Sequence, residues 1–380
     1  MIRIIPLLIV FLFVISSAYP QTTLSGQLTS SDTINLKVLN VYPASFPSVS
    51  LIIRAETSNQ LPIWDLSKTN ILVTENSVEC RVDSLVLLSQ NQSVKVSLVL
   101  DHSGSMQLSD ELLDTLKYPE MAQYIYDGYL YLPEGFRYPD DYIAPIDHAK
   151  SAIRVFTDSF NSTKDSINLI GFSSSVDINL PFTHDVSKID SILNLITADS
   201  LTAFYDALKT GIHNLSHEMG LKALVALTDG QDNNSVSDFS QVVSAAQAAE
   251  VPIYIIGLGT VNKDTLKMIA DSTGGRFYHT TAPTSLIGLY TLISKSIQSI
   301  YELHYTSYHL SSIDSTREIV LHYDVDSIFV NQAIVNSTLP KEVLQELRRR
   351  RDKRRMKFVY GSFLVLALIG SAVLYYKLRS

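Results

Sequence analysis

Val94-Lys95-Val96-Ser97-Leu98-Val99-Leu100-Asp101, followed at once by His102-Ser103-Gly104-Ser105-Met106, is the stretch on which the reading of this chain turns. A β-branched, mostly apolar run of eight ending in Asp has the length and composition of a buried strand that stops at the edge of a sheet. The loop after it carries a carboxylate and two hydroxyls at alternate positions, tightened by Gly104. Oxygen donors converging in that way suit hard cations such as Mg²⁺, Mn²⁺ or Ca²⁺. The same residues also suit a turn that caps a helix, so the motif alone leaves both readings open.

Two later stretches add to it. Thr202 stands just ahead of the helical run Ala203–Leu208, and the apolar run Ala223–Thr228 ends in Asp229-Gly230. In an open parallel sheet, ligands bind at the carboxyl ends of the strands, where all five oxygen-bearing residues fall. With D-x-S-x-S, then Thr, then Asp in order, residues Val94 to Ile300 resemble the von Willebrand factor type A (VWA) family and its metal-ion-dependent adhesion site. The resemblance implies that Ser103, Ser105 and Thr202 touch the metal and that Asp101 and Asp229 hold it directly or through water. It implies Mg²⁺ or Mn²⁺, with Ca²⁺ as the alternative ion. His102, at a free position of the motif, is expected to face solvent.

Around that motif, strand and helix patterns alternate. Strands are expected at Val94–Leu100, Ile167–Phe172, Ala223–Leu227, Ile253–Ile256 and Arg276–Tyr278. Helices are expected at Ile146–Phe160, Lys188–Ile196, Thr202–Asn214, Asp238–Ala249, Lys263–Asp271 and Leu286–Ile300. This is the pattern of an α/β fold with a doubly wound, mainly parallel, Rossmann-like sheet, assigned to residues 91–300. Residues 19–90 read as an all-β module with strands at Asn35–Val41, Val49–Glu56, Ile71–Thr74 and Ser84–Leu88. Residues 301–340 hold further strands, Tyr301–Tyr308, Arg317–Tyr323 and Ile328–Val335. Both flanks are expected to form one sandwich into which the α/β domain is inserted.

Residues 107–143 break the alternation, being far longer than an ordinary connection. They hold seven of the chain's twenty tyrosines, and they leave the metal loop itself. Tyrosine offers rigid, amphipathic contact area, so this insertion is expected to shape or gate the site.

The ends of the chain point to a membrane. Arg3, the apolar run Ile4–Ile15 and the small residues Ser16 and Ala18 fit a signal peptide over 1–18. Phe358–Tyr376 is nineteen uncharged residues, long enough for a transmembrane helix, and leaves a tail of residues 377–380. The segment before it, 341–357, is basic. Basic residues tend to lie on the cytoplasmic side, against the exported topology that the signal implies. Export to the periplasm or cell surface, with one transmembrane helix, is the expected placement of this membrane-anchored, bacterial-type chain.

Between the two ends, residues 19–347 carry 37 acidic and 19 basic side chains, a balance that disfavours nucleic acid. Cys80 stands alone, so no internal disulfide forms. The nine histidines read as scattered, without metal-ligand spacing. No G-x-S-x-G elbow, Walker loop, C-x-x-C or H-E-x-x-H appears, so an enzyme is not expected. The expected role is binding of a protein partner that offers an acidic side chain to the metal, as in adhesion. A purely structural metal, or a metal-assisted hydrolase, are the alternatives; the oligomeric state is not legible.

Overall fold

A computed structural model describes residues 34–42, 46–57, 61–127, 129–133, 135–198, 201–308, 316–323, 330–331, 333–338 and the positions 344–345, 348–349 and 352–353. The expected signal peptide, the transmembrane helix 358–376 and the tail lie outside these residues, as does most of the basic segment. Among the described residues no helix is long and apolar enough to cross a membrane.

In chain order the strands β1 (Ile34–Tyr42), β2 (Ser48–Thr57), β3 (Ile71–Glu75) and β4 (Val78–Leu87) come first, followed by the single-turn helix α1 (Leu88–Asn91). Next come β5 (Val94–Asp101), a small hairpin of β6 (Ile125–Tyr126) and β7 (Tyr129–Leu130), α2 (Pro145–Asp158), β8 (Ser166–Phe172) and β9 (Val176–Thr183). The chain continues through α3 (Val186–Leu195), α4 (Phe204–Ser216), β10 (Leu221–Thr228), α5 (Phe239–Ala248), β11 (Ile253–Leu258), α6 (Lys263–Ser272), β12 (Arg276–Thr280) and α7 (Leu286–Gln298). It returns to strands in β13 (Ile300–Thr306), β14 (Thr316–Tyr323), β15 (Val330–Asn331) and β16 (Ala333–Thr338).

One sheet has the order β12-β11-β10-β5-β8-β9, parallel throughout except for β9. Its four inner strands, β5, β8, β10 and β11, are apolar on both faces because both are covered. Val96, Leu98 and Leu100 of β5 face a core shared with α2, α3 and α7, whereas Val99 faces the core shared with α4, α5 and α6. Chain order reverses at β5, whose neighbours are β8 on one side and β10 on the other. The crevice at the carboxyl end of β5 and β10 is thus a topological switch point. Gly211 lets α4 lie close to the sheet there: a Cβ on it would come within 2.7 Å of Leu224 Cδ1 and 2.9 Å of Ser97 Oγ.

The other large sheet has the order β15-β1-β2-β13-β4-β3-β14-β16, so strands from both flanks of the α/β domain share it. Strand β4 pairs with β3 through its first residues and with β13 through the rest, folding the sheet over one core. Leu51, Ile53, Val73, Leu303, Tyr305 and Leu321 fill that core. The buried pair Glu75–Arg317 is hydrogen-bonded within it, with the Tyr305 hydroxyl 3.3 Å from Glu75 Oε2. Both connections to the α/β domain leave from neighbouring strands, β4 through α1 into β5 and α7 directly into β13. Arg54 donates to the Tyr254 hydroxyl at 2.9 Å, Arg276 pairs with Glu56, and Ser89 Oγ donates to the Gln298 carbonyl at 2.7 Å. Eight residues of β5 at ~3.3 Å each then put the metal-loop end about 25 Å from the sandwich.

The edge strand β9 is absent from the expected strands. Its alternating exposure and Pro181 resemble a loop, yet an edge position tolerates proline. Strand β4 likewise starts six residues before the expected Ser84, through the exposed Glu79 and Arg81 and the half-buried Asp83.

Candidate metal centre

Strand β5 ends with Asp101 wholly buried, and Ser103 (1% exposed) and Thr202 (4%) are nearly so, while Ser105 is exposed. Asp101 Oδ1 accepts from the Ser103 amide at 2.9 Å, and its Oδ2 accepts from Thr228 Oγ1 at 2.6 Å. Ser103 Oγ lies 3.1 Å from Ser105 Oγ, which donates to Asp229 Oδ1 at 2.7 Å. Thr202 lies beside them: a Cβ on Gly230 would sit 3.4 Å from Thr202 Oγ1 and 4.0 Å from Ser105 Oγ. All five residues singled out in the sequence therefore gather at the switch point.

Helix capping does not account for these hydroxyls. Ser103 precedes a single 3₁₀ turn, Gly104–Gln107, and makes no side-chain cap bond. The cap of α4 is Ala203, which has none to make. The oxygen separations, those of ordinary hydrogen bonds, are also compatible with a cation. Octahedral ligands at 2.0–2.1 Å from Mg²⁺ have adjacent oxygens about 2.9 Å apart, and the 3.1 and 2.7 Å separations bracket that value. The donor set is two carboxylates and three hydroxyls. Carboxylate and hydroxyl oxygens are hard donors.

Electrostatics oppose ionisation of both carboxyls. Burial pushes the Asp101 carboxyl above the usual range, against hydrogen bonds from Ser103 and Thr228 that favour its anion. Burial, and then the neighbouring Asp101 charge, push Asp229 up to about 7, with the Ser105 hydroxyl opposing. A divalent cation between the two carboxylates removes both penalties.

Several residues that the sequence did not mark hold the loops in place. Asn233 Oδ1 accepts from the Thr202 amide at 2.9 Å, and the Asn233 and Asn234 amides donate back to the Thr202 carbonyl. Asp232 accepts from the Tyr205 and Ser235 amides, and Asp206 from the Val236 and Ser237 amides. The only sequence signal was the run Asp229-Gly-Gln-Asp-Asn-Asn234, dense in residues that bond to nearby backbone.

His102 departs from expectation. It is buried, with Nδ1 3.0 Å from the Thr197 carbonyl and Nε2 2.9 Å from Asp177 Oδ1. It ties the metal loop to β9 and to the segment that leads to Thr202. Gly171, beneath the ring, leaves it room: a Cβ there would lie 3.4 Å from His102 Cδ2.

The insertion 107–143 folds on itself. Leu112, Tyr118 and Met121 are buried under Tyr124, Leu130, Leu132, Phe136 and Tyr138. Tyr142 packs both on this small core and on the main one, and its hydroxyl donates to the Gln107 carbonyl at 3.1 Å. That bond joins the two ends of the insertion beside the metal loop. Tyr126 and Tyr131 remain exposed, at 76% and 60%, with ring centroids 6.5 Å apart.

Comparison with known families agrees with this architecture: the model of the von Willebrand factor type A domain matches residues 143–291. Among curated proteins, an uncharacterized protein of Borreliella burgdorferi is 27% identical over 227 residues, 58% of this chain and 59% of the relative. The chain thus spans about three-fifths of that relative's length. Among solved structures, BatB from Bacteroides thetaiotaomicron is 19% identical, over 55% of this chain and all of that one, with a TM-score of 0.38. Proximal thread matrix protein 1 from the mussel byssus, solved with a zinc-occupied MIDAS motif, is 17% identical over 58% of this chain and 48% of that one, with a TM-score of 0.41.

Proposed function

Starting from the von Willebrand factor type A domain that the chain carries, we propose that it is a membrane-tethered binding protein that holds a protein partner through a divalent cation. The cation is Mg²⁺ or Mn²⁺, held by Asp101, Ser103, Ser105, Thr202 and Asp229. When bound, it supplies an open coordination position for a partner's carboxylate. The observation that carries this reading is the convergence of five oxygen-bearing side chains on one crevice whose mouth, at Ser105, is open to solvent.

The chain's own residues do the rest. Thr228 and the Ser103 amide fix the Asp101 carboxylate, and the Asn233–Thr202 bonds fix the third loop. A pre-set site of this kind loses little entropy on binding. The insertion starts at the metal loop, and its exposed Tyr126 and Tyr131 offer rigid contact area for a protein surface. The acidic balance of residues 19–347 supports one carboxylate at the cation while repelling acidic surfaces elsewhere. Residues 358–376 would anchor the chain in a bilayer, with the domain outside the cytoplasm.

The test is crosslinking and pull-down from the native host in Mg²⁺ and in chelator, with Thr202→Ala as the third arm. Partners recovered only by the unaltered chain in Mg²⁺ support metal-mediated capture. Identical partners in all three arms would make the metal structural and refute the reading.

A further inference from the structure

At the other end of α4 from the metal loop, two histidines sit four residues apart on one helical face, at the last turn of the helix. His213 and His217 are both exposed, and their ring centroids are 5.0 Å apart with the planes at 86°. Residues at i and i+4 are neighbours on a helix surface, and a His pair at that spacing can chelate one ion. The distance fits. Two imidazoles bound to one ion at about 2.05 Å bring their centroids about 4.5 Å apart at a right angle and about 5.2 Å at the tetrahedral angle. The observed separation lies within that interval, so rotation of the side chains has only to aim one nitrogen of each ring at the ion.

We infer that His213 and His217 form a second cation site, one for a borderline transition metal such as Cu²⁺ or Zn²⁺, independent of the oxygen-lined centre. Imidazole nitrogen prefers such ions to Mg²⁺, so the two ends of α4 would select ions of opposite character. The surroundings leave room and a favourable field. A cavity of about 580 Å³ is lined by His213, Lys209, Ser216, Lys222 and Glu250, among others, with His217 outside its lining, so it has room for waters on the His213 side of an ion. Helices α4 and α5 both end at this cavity, at Ser216 and Ala248, and their carbonyl ends carry partial negative charge that favours a cation. Lys209 and Lys222 oppose it and Glu250 supports it. Glu218, next to His217, is engaged by Lys95 at 3.6 Å. These side chains leave one net positive charge, which the two helix ends offset in part, so affinity rests on the imidazole pair. The sequence reading missed it because His213-x-x-x-His217 has no third His, Cys or acid at a ligand spacing.

The experiment uses the untagged chain carrying Asp101→Ala, so that the oxygen site does not contribute. Cu²⁺, Zn²⁺ and Mg²⁺ are titrated calorimetrically, and the Cu²⁺ complex is examined by electron paramagnetic resonance for nitrogen hyperfine coupling. One Cu²⁺ or Zn²⁺ per chain is expected, with Cu²⁺ the tighter and no binding of Mg²⁺. His213→Ala and His217→Asn should each weaken binding on the order of tenfold or more and remove the coupling from one nitrogen. Both positions are exposed, so the variants should fold as the parent does. Absence of a Cu²⁺ or Zn²⁺ isotherm, or an isotherm unchanged in both variants, would overturn the assignment.

Discussion

Binding of Mg²⁺ should expel a proton from Asp229, in an amount set by pH. With this carboxyl pushed up to about 7 by burial and by Asp101, roughly half of the metal-free molecules carry its proton at pH 7. At pH 6 the fraction is about 0.9, and at pH 8 about 0.1. Ligation needs the carboxylate, so this group alone should weaken apparent affinity about tenfold between pH 8 and pH 6. The stability of the metal-free protein has the matching sign. A folded value above the unfolded one means that stability from this group is complete below about pH 4 and is lost as pH rises to about 7. Saturating Mg²⁺ restores it at the upper end. Asp206, held below the usual carboxylate range by the Ser237 and Val236 amides in opposition to its burial, has the reverse dependence, so the comparison must be between metal-free and metal-loaded protein at each pH. Calorimetric titration in two buffers of different ionisation enthalpy counts the protons released. Proton release that grows from pH 8 to pH 6, and that falls in Asp229→Asn, is expected. Full metal binding at pH 6 with no proton release would refute the electrostatic account of the site.

Three further outcomes follow from the packing. Gly211→Ala, which on helix propensity alone should stabilise by ~1 kcal/mol, should instead destabilise by about 1–3 kcal/mol in denaturant titration, because its methyl meets Leu224 and Ser97. His102→Ala should raise the Mg²⁺ dissociation constant about 10–100-fold, as outer-sphere supports do, while His102→Asn, which can bond to one of the two partners, should lose less. Tyr142→Ala, which cuts the contact between the insertion and the main core, should speed proteolysis within 107–143 while leaving the thermal transition of the sheet core nearly in place.

Where the sequence was informative, the physics was local. The apolar runs at β5, β10 and β11 declare strands buried on both faces, and Asp101, Ser103 and Ser105 occur on one short loop. Thr202 and Asp229 could be placed with them because strands and helices alternate, which forces their ends to one side of the sheet. What stayed hidden depends on contacts distant in the chain. His102 looks like a free position until Asp177 on the antiparallel edge strand and Thr197 after α3 enclose it. Strand β9 hides because an edge strand half in water has a weak apolar pattern. The supports Asn233 and Asp232 read as ordinary turn residues, since their role is set by where α4 begins.

The central claim is that one divalent cation sits at the switch point between β5 and β10, held by Asp101, Ser103, Ser105, Thr202 and Asp229. Anomalous diffraction at the manganese edge from Mn²⁺-soaked crystals tests it most directly. The account predicts one strong peak within coordination distance of Ser103 Oγ, Ser105 Oγ and Thr202 Oγ1, and no peak there in Asp101→Ala. A peak elsewhere with this crevice empty, or a peak that persists in Asp101→Ala, would contradict it.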